Sequence, residues 1–456
     1  MNELILDPGK TYQTFERFGV SGAWWAQTVG GRTDPDPATG MPVRERIAKL
    51  LFDPQEGLSL RIYRYNLGSG AKESGRGRYA DEERRASCFY DADGGFDFSK
   101  DENAVWMMTR AVALGADEVI FFVNSPPEKL TKNGKGYLDV PGKTNLSQKN
   151  YRAFADYCLR CVLHFRNRGI PVRFLSPVNE PLWVWTENQE GCHYRPRQVK
   201  RLMRVFAEEI DARPALRDLL LSGAENGDIR WFNKTYTRVM LSDPRVREKT
   251  DGVDLHSYCV TPDKKIFRRL IGDRVPYLRR FRRWMDARFP DAKVKISEWT
   301  HMRGGRDCGM ASALEQTKVI LEDLCILNAV SWQHWIAVSK YVYCDGLIYL
   351  NEDGGFTLPK RYFAFGNFTK FITPGAVRFC ADAGPGLECA AFRTEKADVV
   401  VVRNAGEETV LRLPQAPGKV FVTDEARDLA EAEGLADFPL SEKSVTTFVF
   451  SREATA

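Results

Sequence analysis

Two acidic residues stand at the ends of apolar runs, and their neighbours are those of working carboxylates. The stretch Phe174–Pro181 reads Phe-Leu-Ser-Pro-Val-Asn-Glu-Pro. Pro181 has no N–H to give a ladder, so the strand must stop there and present Glu180 at its carboxyl end. More than a hundred residues on, Lys293–Thr300 reads Lys-Val-Lys-Ile-Ser-Glu-Trp-Thr, a Val/Ile strand that ends in Glu298. In a parallel barrel, two such ends meet across one rim. Paired carboxylates flanking a sugar bond are the equipment of glycoside hydrolysis. The pattern therefore predicts Glu180 as acid/base and Glu298 as nucleophile of a retaining β-glycosidase. Glu187 and Glu190 lie in the loop after Glu180 and are weaker candidates for the acid, because no strand fixes them.

The elements that must hold these two residues follow a regular alternation. Residues 3–20 read as one or two short strands leading into Ser21–Trp25, and apolar runs at 59–67, 118–123, 172–175, 219–222, 252–255, 293–297 and 329–335 read as further strands. The segments between them carry helical periodicity, among them 43–52, 104–114, 148–168, 196–211, 268–289 and 313–327. Strands alternating with helices predict an α/β fold, a (β/α)8 TIM barrel. The loops at 71–100, 128–147, 183–195 and 300–312 are long for a compact domain, which marks them as functional. After Gly375 short alternating runs take over, separated by Asp, Gly and Pro. They predict a small C-terminal all-β sandwich that the N-terminal strand joins. The expected division is a barrel over 14–374 and a β-sandwich side domain from 1–13 plus 375–456.

At 456 residues with a formal net charge of +5, the chain gives charge alone no case for nucleic acid. The Arg-rich helix at 268–289 is read as a solvated face. No apolar stretch has the length to span a bilayer. No basic n-region and apolar h-region opens the chain, which sets the expectation of a cytoplasmic protein, or a secreted one if a leader has been removed. A cytoplasmic enzyme would meet imported oligosaccharides rather than polymers. The ten cysteines are scattered. Cys158 and Cys161 have redox-motif spacing but fall in a helical pattern with no second pair, so they are expected as buried free thiols. No metal or organic cofactor is expected.

The strand ends together resemble glycoside hydrolase family 30. The resemblance runs through Ser21-Gly22-Ala23-Trp24-Trp25, Arg64-Tyr65-Asn66-Leu67-Gly68, Asn124-Ser125-Pro126-Pro127, Asn179-Glu180-Pro181, Gln189-Glu190-Gly191-Cys192, Ser297-Glu298-Trp299 and Trp332-Gln333-His334-Trp335. It continues through Phe365–Gly375 and Ser444–Phe448, which look like the family's barrel-to-sandwich junction and last sandwich strand. The motifs fall in the family's order over nearly the whole chain. The Arg-Tyr-Asn and Asn-Ser-Pro-Pro segments are most similar to the branch acting on β-1,6-linked galactan. That branch carries bulky aromatics after Asn-Ser-Pro-Pro, where this chain has Glu128-Lys129-Leu130.

Further site residues take their expected roles from chemistry and from that resemblance. Asn179 is expected on the sugar 2-hydroxyl. Tyr258 is expected to hold Glu298 ionised and aimed, with His256 beside it. Arg64, inside a strand, needs a buried anion and is expected near Glu298 or a sugar hydroxyl. Asn124 is expected on the sugar or in a turn. Trp24, Trp25, Trp299, Trp332 and Trp335 are candidates for stacking on a pyranose face, part of them core. Trp183 and Trp185 are candidates for the leaving-group side. The expected partner is a carbohydrate, with no nucleic acid and no membrane. Galactose-containing β-1,6-linked glycans lead. A β-glucosidase, glucosylceramidase-like, β-1,6-glucanase or xylan-directed enzyme of the same fold is the alternative. A catalytically silent carbohydrate-binding barrel is the reading of another class.

Overall fold

Strands and helices alternate from Arg17 to Thr369 in the computed structural model, which describes residues 2–91, 93–186, 188–230, 232–259 and 273–452. The parallel strands are β1 (Arg17–Ser21), β2 (Ile62–Asn66), β3 (Glu118–Phe122), β4 (Val172–Ser176), β5 in two pieces (Leu220–Leu221 and Ala224–Asn226), β6 (Gly252–His256), β7 (Lys293–Trp299) and β8 (Ser331–Ile336). They form one nine-segment sheet that starts at the first piece of β5, runs through β4, β3, β2, β1, β8, β7 and β6, and ends at the second piece of β5. Both edges of the sheet thus belong to one strand, so the sheet curls round into an α/β barrel of the TIM type. β5 was expected over 219–222 alone; its first piece lies there, and a second piece follows beyond Gly223, whose amide and carbonyl turn to the Asp254 side chain and amide on β6.

The interior is layered by the two-residue alternation of the strands. Ile62, Ile120 and Phe174 pack with Leu220 as an apolar plug. Two residues further along the same strands come Arg64, Phe122 and Ser176. Two further again come Asn66 and Asn124. The polar layers therefore lie at the carboxyl ends, where β4 and β7 deliver their Glu residues. β7 needs a correction to its alternation to do so. Lys295 faces inward, within 3.7 Å of Asp254 and 4.2 Å of the Phe174 ring centroid. Strict alternation would send Glu298 outward. The register slips between Ile296 and Glu298 against β6 and between Ile296 and Trp299 against β8, a bulge that turns Glu298 to the axis.

The helices cover the sheet with one apolar face each. Tyr151–Arg166 buries Phe154, Tyr157, Cys158, Cys161 and Phe165. Cys158 and Cys161 are free thiols, and burial pushes both well above the usual range. The described part of the Arg-rich helix, Val275–Arg288, buries Leu278, Phe281 and Met285 and leaves Arg279, Arg280 and Arg283 exposed. Its expected first residues, 268–272, lie outside the described residues. No described helix is long and apolar enough to cross a membrane.

Beyond Gly375 the described residues form only strands, turns and loops. A seven-stranded sheet contains Ile5–Thr14, paired antiparallel with Val377–Asp382, so the N-terminal strand belongs here. A three-stranded sheet joins Asn2–Glu3, Thr409–Arg412 and Asp437–Leu440. Leu411, Phe438 and Leu440 meet Val400, Val402, Val420 and Phe448 in a second core. On the opposite face Val399 and Val401 join the barrel core. A strand buried on both faces must be apolar throughout, which is why Val399–Val402 is four valines in a row. Asn367, in the helix Lys360–Thr369, latches the two parts. It donates to the Phe421 carbonyl (3.1 Å) and Thr447 Oγ1 (2.9 Å) and accepts from Thr423 Oγ1 (2.7 Å). Replacing Asn367 by Ala strands these buried partners. The expected cost is about 2–3 kcal/mol, read as a lower urea midpoint, and an unchanged midpoint would show that the latch carries no load.

Candidate active site

Glu180 and Glu298 emerge at the same end of the barrel. One oxygen of each, together with His256 Nδ1, forms a triangle with all separations within 4.8 Å. Glu180 stands just past β4 with φ +42°, a left-handed backbone that a non-glycine residue seldom adopts. Its amide donates to the Glu225 carbonyl (2.9 Å), and its own carbonyl accepts from Trp183 N and from Trp185 Nε1 (3.0 Å each). These bonds, and Pro181 behind it, hold the turn. Gly227 leaves room for the carboxyl, since a Cβ there would lie 2.5 Å from Glu180 Oε1. The Glu180 side chain is 16% exposed while that of Glu298 is 6% exposed, so solvent and leaving group reach the former more easily.

Glu298 is held from both sides. Arg64 Nη1 donates to Oε2 (2.9 Å) and the Tyr258 hydroxyl donates to Oε1 (3.0 Å). Burial is the main influence on Glu298 and pushes its carboxyl up. His256 and Arg64 pull it back, and Glu180 and Glu225 push the same way as burial. His256 sits between the two carboxyls, with Nδ1 2.9 Å from Glu180 Oε1 and 3.4 Å from Glu298 Oε1. Burial opposes charge on this imidazole, yet Glu298 and Glu180 together raise it above its ordinary value. The Tyr258 phenol is pushed well up by burial and by Glu298, so it remains a donor.

Behind this front lies a buried polar network. Arg64 is fully buried. Its Nη2 donates to Asn179 Oδ1 (2.9 Å) and to Glu225 Oε2 (3.0 Å), and the guanidinium lies 3.7 Å from the Phe122 ring centroid. Asn179 Nδ2 donates to Asn124 Oδ1 (2.9 Å), and Asn124 Nδ2 reaches Asn66 Oδ1 at 3.3 Å. Every amide in this row is oriented by the next, which leaves one Asn179 N–H for a ligand.

The tryptophans divide between wall and core. Trp25 gives its indole N–H to the Ser21 carbonyl (2.8 Å) and is buried. Trp332 gives its own to Asp323 on the helix Met310–Ile326 (3.0 Å), so it points out of the barrel. Trp335, one strand alternation away, faces inward over Arg64 and Phe122 and is half-buried. Trp24 packs edge-on against Trp335 at 5.4 Å, and Trp299 packs against Trp332 and His301. In the loop after Glu180, Trp183 is 61% exposed while Trp185 is buried over Gly191.

Glu187 lies outside the described residues. Glu190 is completely buried and accepts from the Ser69 amide and hydroxyl and from the Ala86 amide. Its hydrogen-bond partners lie on the loop after β2 and include neither Glu180 nor Glu298. Glu128, where a stacking aromatic was sought, is likewise buried and caps the Gly136 amide. Glu225 was missed: the sequence displayed it at the end of β5 but did not distinguish it from a rim carboxylate. The available signal was that β5, like β4 and β7, closes on a Glu, and that Arg64 needed more than one anion.

Such a barrel, with two carboxyls facing each other at its carboxyl-terminal rim, defines a glycosidase-type site. The model of O-glycosyl hydrolase family 30 matches residues 1–240 and 295–349, and the chain belongs to that family. It is similar to an endo-β-1,6-galactanase of Hypocrea rufa, 26% identical over 253 residues that make up 49% of each protein. It is also similar to an exo-β-1,6-galactobiohydrolase of Bifidobacterium longum, 27% identical over 230 residues, covering 39% of this chain and 15% of that protein. The chain thus spans about half or less of the length of these two curated relatives. A conserved exported protein of Bacteroides fragilis shares the fold with a TM-score of 0.86 at 24% identity, covering 98% of this chain and all of the other.

Burial pushes the Glu190 carboxyl up to about 8. A carboxyl raised on folding is protonated in the native state while the unfolded chain has already ionised. Stability contributed by that proton is therefore lost as pH rises from about 4.5 through about 8. The thermal midpoint is expected to fall across this window, and Glu190→Gln is expected to flatten the fall. An equally steep fall in the variant would remove Glu190 as its source.

Proposed function

We propose that this chain is a retaining β-glycosidase acting by double displacement on β-linked glycans, foremost β-1,6-linked galactose-containing ones. The observation that carries the reading is that one oxygen of Glu180 and one of Glu298 lie within 4.8 Å of each other. Retaining enzymes hold their carboxyl groups about 5–5.5 Å apart, and inverting enzymes hold them wider to admit a water. Glu298, pinned by Arg64 and Tyr258, attacks the anomeric carbon. Glu180 gives its proton to the departing oxygen as the glycosidic bond breaks. The ester formed on Glu298 has lost its charge. Glu180 then takes a proton from water as that water attacks the anomeric carbon and frees Glu298. His256, bonded to Glu180, steadies the acid through both steps. The free Asn179 N–H meets the sugar 2-hydroxyl, Trp335 and Trp24 wall the glycone, and Trp183 offers an exposed face to the leaving group.

The barrel over 14–374 supplies this site, and 1–13 with 375–456 form a β-sandwich braced against it. The β-1,6-galactose preference rests on what the two curated relatives act on and on the Arg-Tyr-Asn and Asn-Ser-Pro-Pro segments. Other β-linked sugars of the family remain the alternative, because Glu128-Lys129-Leu130 offers no aromatic platform.

Incubation with 2-fluoro-β-glycosides of galactose, glucose and xylose tests both claims. The expected result is a covalent adduct on Glu298 with the galactoside, found by peptide mass spectrometry. Glu298→Gln should lose at least about 10³-fold in turnover. Near-normal turnover in that variant, or an adduct elsewhere, refutes the assignment. An adduct formed faster with another sugar refutes the galactose preference alone.

A further inference from the structure

We propose that Glu225 is a positioning residue: its buried carboxylate occupies one end of the Arg64 guanidinium, so that Glu298 shares this cation and stays nucleophilic. The inference rests on the assignment of Glu298 above. Arg64 turns one amino group, Nη1, to Glu298 and the other, Nη2, to Glu225 and Asn179. Glu225 Oε2 is fixed a second time by the Ser176 hydroxyl (2.7 Å) on β4. Its main-chain carbonyl holds the Glu180 amide, so one residue braces the turn that carries Glu180 and, through Arg64, is linked to Glu298. Glu225 is completely buried with φ +47°, and its Oε1 is without a hydrogen-bond partner among the described residues. A buried, under-satisfied carboxylate on a strained backbone is costly to keep. Glu225 cannot be there to meet substrate, because no part of it is open to solvent.

Its charge explains why it is kept. A carboxylate paired alone with a buried Arg is stabilised as an anion and gives up its electrons less readily. A second anion on the same guanidinium weakens that hold. The groups facing this cluster are Arg64 from β2, Ser176 from β4, Asp254 and His256 from β6, Glu298 and Lys295 from β7, and Glu180 and Tyr258 from the rim. Glu225 pushes Glu298, His256 and Asp254 all upward. That is the sign expected of a negative charge, which raises acids and bases alike.

The test is the pH profile of kcat/KM for an aryl β-glycoside that the wild type turns over. Removing the charge with Glu225→Gln should lower every neighbouring group, so both limbs of the bell move to lower pH by roughly one unit, with a loss in kcat. Glu225→Asp keeps the charge but shortens the reach, and should lose kcat while both limbs stay in place. Limbs that stay put in Glu225→Gln overturn the proposal, since a merely structural role changes amplitude alone. If Glu225→Gln does not fold, Glu225→Asp decides by itself: limbs that move although the charge is kept overturn it. A wild type that hydrolyses no β-glycoside, or an active Glu298→Gln, would instead sink the functional reading on which this rests.

Discussion

One buried cation organises this molecule. Arg64 has no access to water and projects from the middle of β2 into the barrel axis. A guanidinium in that position is tolerable only if anions and dipoles converge on it from other strands. They do: Asn179 after β4, Glu225 on β5 and Glu298 on β7. Removing one partner from such a buried set typically costs about 3–5 kcal/mol. The same contacts that make the barrel interior electrically acceptable also place the carboxyls, so closing the barrel and assembling the site are one event.

The rim above this cluster is firm around Glu180 and open beside it, at Trp183. Glu190 and Glu128 are acidic residues used as struts, gathering backbone amides of neighbouring loops. Trp185 is packed over Gly191 and bonded to the Glu180 carbonyl, while Trp183, two residues earlier, is left exposed. A rigid turn at Glu180 next to an exposed aromatic fits the proposed role, in which one side must not move and the other must accept different partners. The all-β region stands outside this division of labour. It meets the barrel through the apolar face of Val399 and Val401 and through the Asn367 latch.

What was legible in the sequence was whatever repeats with a short period. The strand–helix alternation followed from apolar spacing, and Pro181 showed that β4 stops before it, with Glu180 just past the strand's end. The strands Val377–Asp382, Ala430–Ala432 and Asp437–Leu440 were not legible. Two are only three and four residues long, one of them with Pro439 inside it, and the first carries Arg378, a cation that stacks on Tyr12 and bonds Gln13. Such a residue erases the alternation on which a strand is recognised, because its partner lies on a strand far away in the chain.

By itself the sequence determined the residue types at the strand ends: a Glu after β4, a Glu in β7, and an Arg within β2 that had to find an anion. Those statements need only local periodicity and the cost of burying charge. Which way each side chain faces was decided by the tertiary structure. Glu298 points inward because neighbouring strands slip by one residue at the bulge, and Trp332 points outward because Asp323 waits on a helix. Glu225 became distinguishable from an ordinary rim carboxylate only when β5 split and its second piece took a place beside β6. Register and closure arise between segments far apart in the chain, and no local pattern encodes them.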